Sequence, residues 1–185
     1  DCQNLLKESK EGLQRVKQIV QDLRDFSHVD EIDWVEADLI QGIDATLNIV
    51  ANEVKYKAEV IKEYGDIPHI ACIPSQVNQV VMNLLVNASH AIEDRGEITI
   101  KTWLFDDKHV AIQIRDTGAG ISQENLSKIF DPFFTTKPVG SGTGLGLWLS
   151  FSIIEKHSGQ LLCDSEMGVG TAFTIVLPVE QNGAN

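Results

Sequence analysis

An α+β fold is predicted: a two-layer sandwich in which one mixed sheet is covered by helices on one face, with an amphipathic helix in front of it. Two observations lead there. Stretches of helical periodicity interleave with period-two alternation in the order helix, strand, helix, two strands, loop, helix, two strands. The later strands come in pairs, 97–105 with 109–115 across Asp106-Asp107-Lys108 and 160–165 with 171–178, which makes them hairpins and so antiparallel neighbours in one sheet.

The 185 residues suit one domain with an appendage, and 43% apolar against 23% charged residues is the balance of a chain that buries a core. The formal net charge of −12 argues against a nucleic-acid partner, which calls for a basic face. A phosphate ligand remains compatible with that charge if backbone N–H groups, a metal ion or a few local cations meet it. Cys2, Cys72 and Cys163 are odd in number and widely spaced, so neither a disulfide framework nor a zinc site is indicated, and a reducing compartment is expected. No apolar run approaches the roughly 18 residues that cross a bilayer. The chain opens at Asp1 in the middle of a helical pattern, the expectation for a piece of a longer protein whose parent could carry a membrane anchor.

Leu6, Leu13, Val16, Val20, Leu23 and Phe26 recur at spacings of three, four and seven, an amphipathic helix with a coiled-coil-like seam that needs a partner. Residues 31–38 break the pattern and read as a linker, leaving 1–30 as the helical segment, 39–180 as the main domain and 181–185 as a tail. Asp38 caps a second helix expected to reach about Lys57, with Leu39, Ile43, Leu47, Ile49, Val50 and Val54 buried. Residues 59–64 alternate as a strand closed by Gly65 and Asp66. Pro74 and Ser75 open the next helix, expected to run to about Asp94. Two alternating runs, 97–105 and 109–115, form a hairpin; a glycine-rich stretch without periodicity follows; residues 147–157 are helical with Gly159 as the stop; 160–165 and 171–178 form a second hairpin.

Four segments carry candidate chemistry. Asn83 and Asn87 stand one helical turn apart, where two carboxamides offer oxygens to a hard cation and N–H donors to phosphate. Alone, the pair is equally compatible with a polar helix surface. Asp116 ends a strand and leads into Thr117-Gly118-Ala119-Gly120, a carboxylate that can accept from an exocyclic amino group while the backbone approaches a planar ring. By itself this reads as a turn without a ligand. Gly140-Ser-Gly142-Thr143-Gly144-Leu145-Gly146 precedes a helix and can bind an anion through outward N–H groups and the helix dipole, although it is neither a P-loop nor a Rossmann fingerprint. Between these lie Phe130, Phe133 and Phe134, which read as anchors of a mobile lid, and Lys137, a cation for a terminal phosphate or a solvated loop residue.

In this order and spacing the four segments resemble the asparagine, first-glycine, phenylalanine and second-glycine boxes of the histidine kinase catalytic domain. That is a Bergerat-type ATP fold of the GHKL superfamily, shared with type II topoisomerases, a heat-shock chaperone and mismatch-repair ATPases. The resemblance covers about residues 35–180, and residues 6–26 with Leu23-Arg-Asp-Phe-Ser27 resemble the second helix of the kinase dimerisation domain. It implies ATP and Mg²⁺ as ligands. Asp116 would accept the adenine amino group, with Gly118, Gly120 and Thr171 lining the adenine pocket. Asn87 would ligate Mg²⁺ with help from Asn83, while Gly140, Gly142, Thr143, Gly144, Leu145 and Gly146 would wrap the phosphates beside Phe130 and Lys137. Hydrolytic relatives carry glutamate where Asn83 stands; a carboxamide cannot act as a base, which favours phosphoryl transfer over hydrolysis. A superfamily ATPase, an anti-sigma-type serine kinase and a non-catalytic binding or dimerisation platform are the alternatives. His28, His69, His90, His109 and His157 lack the context of the family's phosphoacceptor and read as structural. The resemblance further implies a phosphoacceptor helix outside this chain, a response regulator receiver domain and a homodimeric parent as partners, and a cytoplasmic location for this domain with the parent anchored in the inner membrane or free.

Overall fold

The computed structural model describes residues 12–13, 34–137 and 142–180. Of the expected amphipathic helix only Gly12 and Leu13 are described, and both are helical; the rest of that segment, Gly140 and the tail lie outside the described residues. The main sheet has five strands in the order β2 (Ala58–Tyr64), β4 (Gly96–Asp106), β5 (His109–Asp116), β7 (Gly170–Pro178), β6 (Gln160–Glu166). β2 runs parallel to β4 and every other pair is antiparallel, so the sheet is mixed as expected. Period-two alternation puts Ile98, Ile100, Ile112, Ile114 and Ile175 into the core while Lys101 and Arg115 face outward. Helices α1 (Leu39–Val54), α2 (Pro74–Ala91) and α4 (Gly146–Lys156) join that core through Ile43, Leu84, Leu85, Ile153 and Ile154.

Asp38 caps α1 as its position predicts, with its carboxylate accepting from Ile40 N at 2.9 Å and Gln41 N at 3.1 Å. Three expectations need correction. Ile49 is 74% exposed, because the buried stripe follows Leu39, Ile43, Thr46, Leu47, Val50 and Val54, and a residue two places beyond Leu47 points away from it. α1 ends at Val54 and α2 at Ala91, short of the predicted limits; Ile92 turns extended and is buried. The segment read as linker contains β1 (Val35–Ala37), which pairs with β3 (Ile70–Cys72) in a separate two-stranded sheet. Both strands span three residues, too short for alternation to register. The same holds for the four-residue helix α3 (Gln123–Leu126) inside the glycine-rich stretch.

His157 is structural, as its sequence context suggests. It is fully buried at the end of α4, Nδ1–H donates to Ile153 O at 2.8 Å, and Nε2 accepts from Ile73 N at 3.1 Å. That second bond ties α4 to the first turn of α2, and the Trp34 ring covers the imidazole at 4.7 Å. Burial holds the His157 pKa below its usual value, so the folded chain keeps the ring neutral while the unfolded chain takes up a proton. Stability is therefore expected to fall as pH drops below about 6.5, until the lowered folded value is passed. Urea midpoints between pH 7.5 and 5 measure this, and His157→Gln should lessen the slope; an equal slope in that variant would refute the assignment.

Candidate functional site

A cavity of about 740 Å³ opens between α2, the ends of β5 and β7, and the segments Ala119–Lys137 and Gly142–Leu147. At one end stand Asp116, the last residue of β5, and Thr171, its Cα partner on β7, each 4% exposed. The Asp116 carboxylate accepts from Gly118 N at 2.8 Å. Burial pushes its pKa up, and the backbone N–H groups of Gly118 and Thr171 pull the other way without cancelling the rise. Apolar walls come from Ile121, Ile129, Phe134 and Phe173. A buried acceptor beside apolar walls suits an apolar ring bearing an amino group.

The other end is polar. Asn83 and Asn87 line it from α2, one turn apart as their spacing predicts. Asn83 Nδ2 lies 3.4 Å from Gly146 O and from Ser150 Oγ, which holds its amide toward α4 and leaves its oxygen outside those contacts. Lys137 Nζ reaches Asn87 Oδ1 at 3.5 Å and His90 Nδ1 at 2.9 Å. An ammonium only donates, so His90 is the neutral acceptor of that pair. Burial, then the nearby Lys137 charge, holds the His90 pKa down, and burial lowers that of Lys137.

Gly142, Thr143, Gly144 and Gly146 line the same end. Gly144 has φ +70°, its carbonyl accepts from Phe133 N at 3.0 Å, and an added Cβ would stand 2.4 Å from the Phe133 carbonyl carbon. Any side chain there would open the contact that ties Phe133 to the loop before α4.

Ten predicted residues thus share one cavity: Asn83, Asn87, Asp116, Gly120, Lys137, Gly142, Thr143, Gly144, Gly146 and Thr171. Three others do not line it. Gly118 packs on the Ala91 carbonyl, Leu145 is a 2% exposed core residue ahead of α4, and Phe130 stacks on Phe151 at 5.3 Å. Phe133, read as an anchor, is 63% exposed because its φ of 67° turns the side chain outward. Sequence reasoning missed Glu53, Asn125 and His90 as lining residues. His90 had a legible signal, one helical turn beyond Asn87; Glu53 and Asn125 had none.

Among the described residues no group of three or more His, Cys, Asp or Glu could hold a metal. The oxygen-bearing pair Asn83 and Asn87 nevertheless fits Mg²⁺, which commonly takes one or two protein oxygens and completes its shell with water and phosphate. Nor is any helix of the described residues long and apolar enough to cross a membrane.

Comparison with known proteins agrees with this fold. Residues 72–181 match the family described as histidine kinase-, DNA gyrase B-, and HSP90-like ATPase. The signal transduction histidine-protein kinase AtoS of Escherichia coli is 39% identical over 170 residues, 91% of this chain and 28% of that protein. Sporulation kinase E of Bacillus subtilis is 38% identical over 175 residues, 92% of this chain and 23% of its own length. The chain therefore spans about a quarter of these relatives. Among solved structures, the mycobacterial sensor histidine kinase MprB superposes with a TM-score of 0.71 at 27% identity, over 81% of this chain and 100% of that one.

Proposed function

Since the chain belongs to the histidine kinase-, DNA gyrase B-, and HSP90-like ATPase family, we propose that it is the ATP-binding catalytic domain of a two-component sensor kinase. In this reading it donates the γ-phosphoryl group of ATP to a histidine on a separate dimerisation helix. The observation that carries the reading is the two-ended cavity. Buried Asp116 and Thr171 stand at one end, and Asn83, Asn87, Lys137 and the glycine loop line the other.

Asp116 accepts the adenine amino group, and the apolar walls take the ring. The backbone of Gly142, Gly144 and Gly146 donates to phosphate oxygens at the start of α4. Lys137 exchanges its bonds to His90 and Asn87 for the terminal phosphate. Asn87, assisted by Asn83, would hold Mg²⁺ through its amide oxygen, and that ion would supply charge neutralisation for the phosphates. Asn83 cannot deprotonate water, so the chain positions the phosphoryl group for an incoming imidazole rather than activating hydrolysis.

Incubating the protein with γ-labelled ATP and a separately made helix bearing the phosphoacceptor histidine is expected to label the helix. Free phosphate in place of labelled helix, from protein that binds ATP, would overturn the reading in favour of hydrolysis. Asn87→Ala is expected to lower ATP affinity by about tenfold to a hundredfold in the presence of Mg²⁺ and to leave it indifferent to chelator. Calorimetry with and without EDTA checks this, and a persisting EDTA effect would remove Asn87 from the metal site.

A further inference from the structure

We propose that Ser165, which does not line the cavity, sets the base specificity of the site by fixing the direction of the Thr171 hydroxyl. The inference rests on the nucleotide-binding reading above. Ser165 sits on β6 as the Cα partner of Thr171 and is 7% exposed. Its Oγ has three partners: Ile121 N at 2.8 Å, Gly170 O at 3.0 Å and Thr171 Oγ1 at 2.9 Å.

A serine hydroxyl has one hydrogen and two lone pairs. Ile121 N–H can only donate and occupies one lone pair. The Gly170 carbonyl can only accept and takes the single hydrogen. The second lone pair then faces Thr171, whose hydroxyl must be the donor of that bond. The Thr171 hydrogen is thereby turned toward β6, and its oxygen offers the cavity lone pairs alone.

Across the ladder Asp116 presents a carboxylate, also an acceptor. The closed end of the cavity is thus an all-acceptor surface with both side chains 4% exposed. A 6-aminopurine brings N–H groups to that surface. A 6-oxopurine brings oxygen lone pairs at that position, its N–H having moved to N1, so acceptor meets acceptor there. With Ser165 removed, the Thr171 hydroxyl turns freely and can donate to a 6-oxo group. Ser165 is therefore a positioning residue acting through Thr171.

The test measures dissociation constants of ATP and inosine triphosphate, which differ at the purine 6-position, by calorimetry on the intact chain. The wild type is expected to prefer ATP, and Ser165→Ala to shrink that preference at least about tenfold, mainly through tighter inosine triphosphate binding. Ser165→Cys keeps the volume with a weak hydrogen-bonding group and is expected to move the ratio the same way should the alanine variant fail to fold. An unchanged ratio, with both affinities lowered together, overturns the proposal and marks Ser165 as merely structural. Equal binding of the two nucleotides by the wild type overturns it as well, while leaving the site reading intact. No ATP binding by the wild type overturns the site reading itself.

Discussion

Asp116→Asn is expected to lower ATP affinity by at least about 100-fold while raising the melting temperature of the free protein. The first effect follows from hydrogen-bond polarity. The carboxylate is 4% exposed, is engaged by Gly118 N at 2.8 Å and by the Thr171 backbone N–H, and offers its remaining lone pairs to the cavity. Asparagine can keep the Gly118 bond only by aiming its NH₂ at the adenine amino group, donor against donor. Flipped, it regains an acceptor for the base and confronts the Gly118 N–H instead. Either way a buried pair is mismatched at about 1–3 kcal/mol, and a charge-assisted bond is lost besides.

The second effect follows from linkage. Burial raises the Asp116 pKa above its unfolded value near 3.8, so the folded chain binds the proton more tightly than the unfolded one. The stability carried by the protonated form is present below that unfolded value and is lost as pH rises through the folded value. Above the folded value the charged carboxylate bears its full burial cost, and an uncharged amide avoids it. Thermal melts from pH 4 to 8 should be flatter for the variant and end higher. Unchanged ATP binding by calorimetry would remove Asp116 from the base site, and a lowered melting temperature at neutral pH would refute the electrostatic argument.

Gly170→Ala is expected to cost about 4 kcal/mol or more, a loss at the upper end of single substitutions. Gly170 begins β7 with φ +137°, and an added Cβ would stand 2.0 Å from the Asp116 carbonyl oxygen. Backbone meets Cβ there, so no rotamer change relieves the clash; β5 and β7 must separate where Asp116 faces Thr171. Gly168→Ala is the control. Its φ is +76° but nothing lies within 4 Å of its added Cβ, which leaves only the left-handed backbone cost of about 1–2 kcal/mol. Urea denaturation of both variants decides the matter. Equal losses would mean that the strand contact at Gly170 carries no special energy.

Much of this was legible beforehand where the relevant contacts are local. The Asp38 cap, the start of α2 at Pro74, both hairpins and the Asn83 and Asn87 spacing depend on neighbours within a turn or a strand pair. Boundaries failed where tertiary packing overrode periodicity. Ile92 has the composition to extend α2, yet it is extended and buried. Phe130 and Phe133 had the same apparent role in the lid, yet one stacks on Phe151 and the other is exposed through a positive φ that no pattern announced.

What the amino-acid order determined by itself is the set of chemical groups and their local spacing: two carboxamides on one helix face, a carboxylate ending a strand, and a glycine run before a helix. Only the tertiary structure decided that Asp116 and Thr171 share one closed end, that Ser165 turns the Thr171 hydroxyl, and that Lys137 bridges His90 and Asn87. The physical reason is range. Periodicity records which neighbours along the chain share a face, whereas the pocket is made by groups distant in sequence. Those groups meet because burying the isoleucine face of the sheet under α1, α2 and α4 leaves one arrangement in which they converge.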